Sequence, residues 1–154
     1  MPDNIPKIKK RSEELLGVLG FSGEAIISQR ESVVLVNFQL DDPGILIGKN
    51  GEGLEALQHV IRLLLGADDP DNRSLVVVDI NGYRKKRTGM IENMARDAAH
   101  KVRLERIEIE LDPMNSFERR IVHTIVSAVS DVESESVGER QFKRVKIKPK
   151  ASTK

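Results

Sequence analysis

The chain has 154 residues, 39% of them hydrophobic and 32% charged, which is enough for one medium-sized domain or two small ones. It contains no cysteine, which excludes a disulfide scaffold and a cysteine-ligated zinc site; four phenylalanines and one tyrosine are too few for the stacking platforms of RRM domains. The net charge is only +1, but cations cluster at 84–87 and again from 140 to the end, and local patches set the field that a polyanion meets.

Hydrophobic periodicity predicts a mixture of helices and strands. Apolar residues at helical spacing predict helices over 7–19, 52–65, 83–103 and 116–129. Alternating or continuous apolar runs predict strands over 24–28, 33–40, 75–80, 106–111, 134–136 and 142–147. A polar turn is expected at 68–72 and a disordered tail at 150–154. The predicted fold class is α+β.

The most informative segment is the Gly-x-x-Gly loop formed by Gly48, Lys49, Asn50 and Gly51. It follows a short helical turn and leads into the predicted helix of 52–65. The two glycines lack a Cβ, so a sugar-phosphate backbone can lie against the peptide. The helix start and Lys49 both favour phosphate. Helix, Gly-x-x-Gly, helix is the arrangement with which KH domains clamp about four nucleotides.

Other phosphate loops do not fit this segment. The loop of P-loop nucleotide hydrolases needs Ser or Thr after the lysine, but Asn50 follows Lys49, and Pro43 stands where the first glycine belongs. The glycine spacing does not fit a Rossmann fingerprint either. Taken alone, the loop could still be an ordinary turn between two helices. The predicted order helix-strand-strand-helix-loop-helix-strand resembles the type II KH arrangement.

A second constellation lies on the predicted helix of 116–129. Arg119 and His123 are four residues apart and share a face, with Arg120 beside them. Arginine offers a rigid fork to phosphate oxygens, and histidine offers a ring or an N–H group. This pattern predicts a second phosphate site, although an exposed helix face or a local packing pair remains the alternative. The residues expected to face the core are Phe117, Ile121, Ile125 and Val129.

Three segments, 46–51, 77–87 and 117–123, together resemble the Jag family of bacterial RNA-binding proteins, also called KhpB or SpoIIIJ-associated proteins. The resemblance covers roughly 33–148 in family order. It implies a type II KH domain over 7–87 and a small α/β Arg-x-x-x-His domain that binds single-stranded nucleic acid over 88–149. Family members often carry an N-terminal Jag domain and a charged linker, and the chain is expected to lack both. The family often has Pro where this chain has Ser116.

The resemblance implies non-catalytic binding of single-stranded RNA, with single-stranded DNA as a further ligand, in bacterial post-transcriptional regulation. It also implies a small single-KH protein as a candidate partner. The expected contacts, with Arg84 and Arg87 extending a basic track, are Gly48, Lys49, Asn50, Gly51, Arg84, Arg87, Arg119, Arg120 and His123. One alternative is a protein-binding scaffold associated with the ribosome or another ribonucleoprotein. Another is a nuclease using His123 as acid or base, which lacks a visible second proton-transfer partner.

No metal, cofactor or membrane association is predicted. His59, His100 and His123 fall on three different predicted helices, with no spacing typical of a metal site. No apolar run approaches the roughly 20 residues that span a bilayer, and the N-terminus shows no signal-peptide pattern. A cytoplasmic location is expected.

Overall fold

The computed structural model describes residues 5–66 and 75–151, and the chain divides into two compact units, residues 1–84 and 85–154. Both units mix helices and strands, so the predicted α+β class is confirmed. The polar turn predicted at 68–72 lies outside the described residues. Among the described residues, no helix is both long enough and apolar enough to cross a membrane.

The first unit contains a three-stranded sheet with a helical crossover. Its elements are α1 (Ile5–Val18), β1 (Gly23–Arg30), β2 (Val33–Leu40), α2 (Gly44–Ile47), a 3₁₀ turn (Lys49–Gly51), α3 (Glu52–Leu64) and β3 (Leu75–Ile80). The strand order is β1-β2-β3; β1 runs antiparallel to β2, and β3 runs parallel to it. A parallel neighbour requires a crossover connection, and α2, the turn and α3 supply it.

One face of this sheet forms the core of the first unit. Alternate residues of β2 point to the same side, as their period of two predicts. The buried side chains from the strands and helices are Ile8, Leu16, Ala25, Val34, Val36, Phe38, Leu40, Leu54, Leu57, Ile61, Val76, Val78 and Ile80. The apolar stripe of α3 therefore packs on the sheet, and its N-terminus begins directly after the Gly-x-x-Gly loop.

Side chains satisfy the outer edge of β3. The amide of Val78 donates to Gln58 Oε1 at 2.9 Å, and its carbonyl accepts from Arg84 Nε at 2.9 Å. The carbonyl of Val76 accepts from Arg62 Nε at 2.8 Å. Because these backbone groups already have partners, they are not available to pair with another strand.

The second unit packs two helices with a small antiparallel sheet. Its elements are α4 (Tyr83–Glu105), β4 (Ile109–Glu110), α5 (Ser116–Ser127), β5 (Val132–Val137), a 3₁₀ turn (Arg140–Phe142) and β6 (Arg144–Pro149). The first two residues of α4 belong to the first unit. The strand order is β4-β6-β5, with both pairs antiparallel. The core consists of Ile91, Ala95, Ala98, Ala99, Val102, Leu111, Met114, Val122, Val126, Val132, Val145 and Ile147.

Three strands of the second unit have different bounds from those predicted. The strand expected at 106–111 is confined to Ile109–Glu110, and it begins late because Arg106, with a φ of +56°, is not extended. The strand expected at 134–136 extends over Val132–Val137, where six registered pairs bind it to β6. The strand expected at 142–147 begins at Arg144, since the residues before it form the 3₁₀ turn. Of the tail predicted at 150–154, Lys150 is held by a 2.9 Å bond from its amide to the Asp131 carbonyl.

The most buried face of α5 is displaced by one residue from the predicted inward face, and of the four predicted residues only Phe117 was wrong. The fully buried positions are Glu118, Val122 and Val126, whereas Phe117 is 61% exposed. The predicted Ile121, Ile125 and Val129 are only partly buried against the core. The physical reason is the burial of Glu118, a charged residue that a search for apolar spacing does not count as a core position.

Candidate nucleic-acid interface

The Gly-x-x-Gly loop has a backbone that side chains rarely adopt. Gly48 has φ +71° and ψ −179°, a region populated almost only by glycine, and Gly51 has φ +83°. Asn50 between them has φ +55°, which asparagine tolerates better than most residues. The two glycines therefore determine the loop conformation. Because they lack a Cβ, they also leave the peptide backbone open to close approach by a ligand.

A third glycine, Gly53, lets α2 and α3 approach each other closely. A Cβ at this position would overlap the carbonyl oxygen of Leu46 and lie 2.9 Å from that of Ile47. Both obstacles are backbone atoms, which cannot rotate away as a side chain can. Gly53 is therefore a further determinant of the loop, one that the two-glycine motif does not include.

The ring of Tyr83 packs against the loop at Gly51. A Cβ on Gly51 would meet the ring Cε1 of Tyr83 at 3.0 Å and its hydroxyl oxygen at 3.5 Å. Gly51 is buried, while Lys49 is exposed. The loop thus rests on a ring from the start of α4 and presents Lys49 outward.

The charges around the loop are mixed. The first turn of α3 carries two acids, Glu52 and Glu55. Both are exposed, and Glu55 forms an ion pair with Arg84, whose Nη1 lies 2.8 Å from its Oε1. The amides of Gly51 and Glu52 donate to carbonyls within the loop. A phosphate would therefore meet the Lys49 ammonium and the helix dipole more readily than these two amides.

The predicted cations Arg84 and Arg87 each have partners within the fold. Arg84 bonds the Val78 carbonyl and also reaches Gln58 Oε1 at 3.1 Å. Arg87 Nε lies 2.8 Å from Oε1 of Glu118, which is 4% exposed. These contacts give both guanidiniums a structural role, whereas the neighbouring Lys85 and Lys86 are exposed.

The second predicted constellation is assembled at the start of α5. Asn115 is the residue that caps this helix, its Oδ1 accepting from the Glu118 amide at 2.8 Å. Arg119 Nε donates to the Met114 carbonyl at 3.3 Å, and its Nη1 donates to Ser136 Oγ at 3.4 Å. These two contacts orient the guanidinium across the face that it shares with His123.

His123 is held between two serine hydroxyls of β5. Its Nδ1 lies 2.7 Å from Ser134 Oγ, and its Nε2 lies 2.9 Å from Ser136 Oγ. Partial burial, followed by the nearby positive charge of Arg119, lowers the pKa of His123 below its ordinary value. The ring is therefore neutral near pH 7, and it is an integral part of a hydrogen-bond network.

The structure brings Arg119, Arg120 and His123 together around one open pocket of about 410 Å³. Its lining consists of Ser116, Arg119, Arg120, His123, Thr124, Ser127 and Ser136. Two guanidiniums, an imidazole and four hydroxyls, with no carboxylate among them, make this pocket receptive to an anion such as phosphate.

Sequence reasoning missed the two serines. Ser134 and Ser136 pair with Ile147 and Val145 of β6, so they lie on the core face of the sheet. The signal was present in the alternation from Val132 to Ser136, where small hydroxyl residues occupy the same face of the strand as the buried Val132. Serine at a core-facing position leaves room for a ring from the facing helix, which here is His123.

The lysines of the basic strand β6 lie on the face of the sheet away from this pocket. Lys146 and Lys148 alternate with the buried Val145 and Ile147, so their side chains lie on the opposite face of the sheet from α5. There Lys148 lies 3.6 Å from both Glu133 and Glu135. Lys146 lies 3.6 Å from Glu108 and 3.8 Å from Glu110. Both lysines therefore form ion pairs with acids on the face of the sheet away from the pocket.

The described residues contain no group of three or more potential metal ligands among His, Cys, Asp and Glu. His59 and His100 are exposed on α3 and α4 respectively.

Comparison with known proteins identifies the class of the second unit. Residues 89–149 match the family model of the Arg-three-His domain, which is written R-3-H in one-letter code. This span includes the Arg-x-x-x-His helix and the pocket described above, so the chain contains an Arg-three-His domain.

Several relatives resemble a larger part of the chain. An RNA-binding protein KhpB of Clostridium symbiosum is 36% identical over 120 residues, which are 78% of this chain and 54% of that protein. Proteins of the same name from Bacillus subtilis (strain 168) and Streptococcus pneumoniae (serotype 2, strain D39) are 30% and 32% identical; the matches cover 84% and 80% of this chain, and 64% and 38% of those proteins. These matches relate the chain to the KhpB proteins, although it spans about half the length of the first of them.

Proposed function

We propose that the chain is a member of the Jag (KhpB) family and binds single-stranded RNA without cleaving it. The observation that carries this proposal is the pocket on α5, where Arg119, Arg120 and His123 converge with no carboxylate in the lining. The relatives named above are called RNA-binding proteins, which agrees with a phosphate ligand that belongs to RNA. Single-stranded DNA presents the same phosphates and is a second candidate ligand.

The first unit supplies the second contact in this proposal, as a type II KH domain. Its order α1-β1-β2-α2-loop-α3-β3 and its mixed sheet support this assignment. We assign Gly48 and Gly51 to close backbone approach, and Lys49 and Asn50 to phosphate or sugar contacts. Arg84 and Arg87 support the fold around the contacts because their guanidiniums already have acceptors.

Two weak sites on one chain bind a common strand more tightly than either site alone, because the second contact becomes intramolecular. In this proposal the Gly-x-x-Gly loop binds the sugar-phosphate backbone of the RNA, and the pocket on α5 binds another phosphate of the same strand. The biological role that fits is post-transcriptional regulation in a bacterium, with a small single-KH protein as a partner and the cytoplasm as the location.

The proposal is tested by fluorescence anisotropy with a short labelled single-stranded RNA of random sequence. Two double variants, Lys49→Asp/Asn50→Asp and Arg119→Ala/His123→Ala, each remove one contact. Lys101→Asp is the matched charge-reversal control, since Lys101 is exposed on α4 outside both sites. We expect each double variant to lose RNA affinity by a factor of about ten or more, and the control to lose much less affinity.

Each outcome of this assay has a definite meaning. If wild type does not bind, RNA binding is refuted and a protein-binding scaffold becomes the better proposal. If both double variants stay folded and bind like the control, RNA binding stands but both sites are wrong. Prolonged incubation of the RNA with and without a chelator tests the nuclease alternative, which requires cleavage that His123→Ala abolishes.

A further inference from the structure

Ser136 lies in the wall of the pocket on α5, where its hydroxyl contacts both Arg119 and His123. Its Oγ lies 2.9 Å from His123 Nε2 and 3.4 Å from Arg119 Nη1, and the residue is exposed and lines the pocket. Of the two β5 serines bonded to His123, it is therefore the one that both touches Arg119 and borders the pocket. Ser134 contacts the other ring nitrogen, is half-buried and is not part of the lining.

The direction of the Ser136 hydroxyl proton depends on the His123 tautomer. A serine hydroxyl has one proton to donate and two lone pairs that accept. If Nδ1 carries the hydrogen, Nε2 is an acceptor and takes the Ser136 proton. If Nε2 carries the hydrogen, it donates to Ser136 Oγ, as Arg119 Nη1 does. Both lone pairs are then filled, and the hydroxyl proton must find another acceptor.

We propose that Ser136 donates this proton to a phosphate oxygen of the bound RNA, with His123 as the positioning residue that frees it. The inference rests on the proposed RNA binding and adds to it a ligand contact outside the Arg-x-x-x-His motif. Arg119 Nη1 and the Ser136 hydroxyl converge at one point of the pocket wall, so they can serve the same phosphate. Bound phosphate selects the Nε2–H form of His123, because only then is the serine proton available.

The assignment gives His123 a function different from base stacking. Both ring nitrogens have hydrogen-bond partners in β5, so a rotation of the ring onto a base would break two bonds of 2.7 and 2.9 Å. Orienting the serine keeps both bonds and uses the ring where it already lies.

The test compares three substitutions in the full chain with the same labelled random-sequence RNA. Ser136→Ala removes the proposed donor, Ser136→Thr restores a hydroxyl on a residue suited to a strand, and Ser134→Ala removes the other hydroxyl bonded to the same ring. We expect about a tenfold loss of affinity for Ser136→Ala, as for a hydrogen bond to a charged group. Affinity close to that of wild type is expected for Ser136→Thr, and a much smaller loss for Ser134→Ala.

A spectroscopic measurement on wild type does not depend on whether a variant folds. The ¹⁵N shifts of the His123 ring report which nitrogen carries hydrogen, and we expect hydrogen on Nε2 in the RNA complex. Hydrogen on Nδ1 alone in the complex would overturn the inference, as would Ser136→Ala binding like wild type. Equal losses for Ser134→Ala and Ser136→Ala would reduce both serines to a structural role. In each of these cases wild type still binds RNA, so the proposed function survives; absence of wild-type binding removes both.

Discussion

Arg87 on α4 and Glu118 on α5 form a two-bond ion pair inside the second unit. Arg87 Nε lies 2.8 Å from Glu118 Oε1, and Nη2 lies 3.4 Å from Oε2. The side chains of Arg87 and Glu118 are 21% and 6% exposed, respectively. A run of four cations in the sequence predicted an RNA contact for Arg87; in the structure its guanidinium also connects α4 with α5 in the second unit.

Removal of one member of this pair is expected to destabilise the second unit. Arg87→Ala leaves a buried carboxylate without its cation, which lowers the free energy of unfolding by about 3 kcal/mol. Arg96→Ala is the matched control, because Arg96 lies on the same helix in an exposed pair with Glu92 at 4.0 Å. Such a pair contributes about 0–1 kcal/mol. Urea unfolding measures both, and equal midpoints for the two variants would contradict the structural role.

Replacing Gly53 by alanine is expected to destabilise the protein, whereas the same replacement of Gly89 on α4 is expected to stabilise it. Gly53→Ala places a Cβ against the carbonyls of Leu46 and Ile47, so α2 and α3 must separate; we expect a loss of about 1–3 kcal/mol together with weaker RNA binding. A Cβ on Gly89 of α4 would meet nothing within 4 Å, so Gly89→Ala is expected to stabilise by about 0.5–1 kcal/mol. Thermal unfolding of both variants measures these changes. Unchanged stability in Gly53→Ala would mean that the two helices can move apart easily.

The sequence predicted those features that depend on local pattern. Apolar periodicity placed the helices and the first three strands, and it did so because these elements bury one face along most of their length. The Gly-x-x-Gly motif identified a loop whose positive φ angles glycine permits. The pair Arg119 and His123 was recognised because helical geometry places residues four apart on one face.

The remaining features depend on contacts between distant segments. The burial of Glu118 depends on Arg87, 31 residues away, so periodicity placed the inward face of α5 one residue away from its most buried positions. Likewise, the paired state of Lys148 depends on the register of β5 and β6, and a charge count along the chain cannot give it. Ser134 and Ser136 become interpretable only when His123 is seen between them.

Glu52 is expected to weaken RNA binding while stabilising its helix. Its exposed carboxylate lies in the first turn of α3, directly after the proposed phosphate loop. A negative charge there stabilises the helix by about 0.3–1 kcal/mol through its interaction with the helix dipole, but it repels a phosphate. Glu52→Gln should therefore lower stability slightly and raise RNA affinity, two changes of opposite sign in one variant.

Anisotropy over a range of salt concentrations checks this prediction. If about six phosphates are engaged, the logarithm of wild-type affinity falls with the logarithm of salt at a slope near −4, at about 0.7 per phosphate. The gain from Glu52→Gln should shrink as salt rises, because screening weakens exposed charges. Glu14→Gln, at an exposed position on α1, is the control. A gain of the same size in that control would point to net charge as the cause, and no gain for Glu52→Gln would place the RNA away from the loop.

His123 should make the stability of the second unit depend on pH. Partial burial, followed by the charge of Arg119, lowers its pKa in the folded state, so below about pH 6.5 the unfolded chain binds more protons than the folded one. The contribution of the neutral ring is therefore complete above that pH and is lost progressively as the pH falls through 6.5 towards the lowered folded pKa. His123→Gln should remove this part of the pH dependence, whereas His100→Gln, at an exposed position on α4, should leave it unchanged. Chemical unfolding at a series of pH values measures the difference, and parallel stability curves for wild type and His123→Gln would show that burial of the ring does not favour its neutral form.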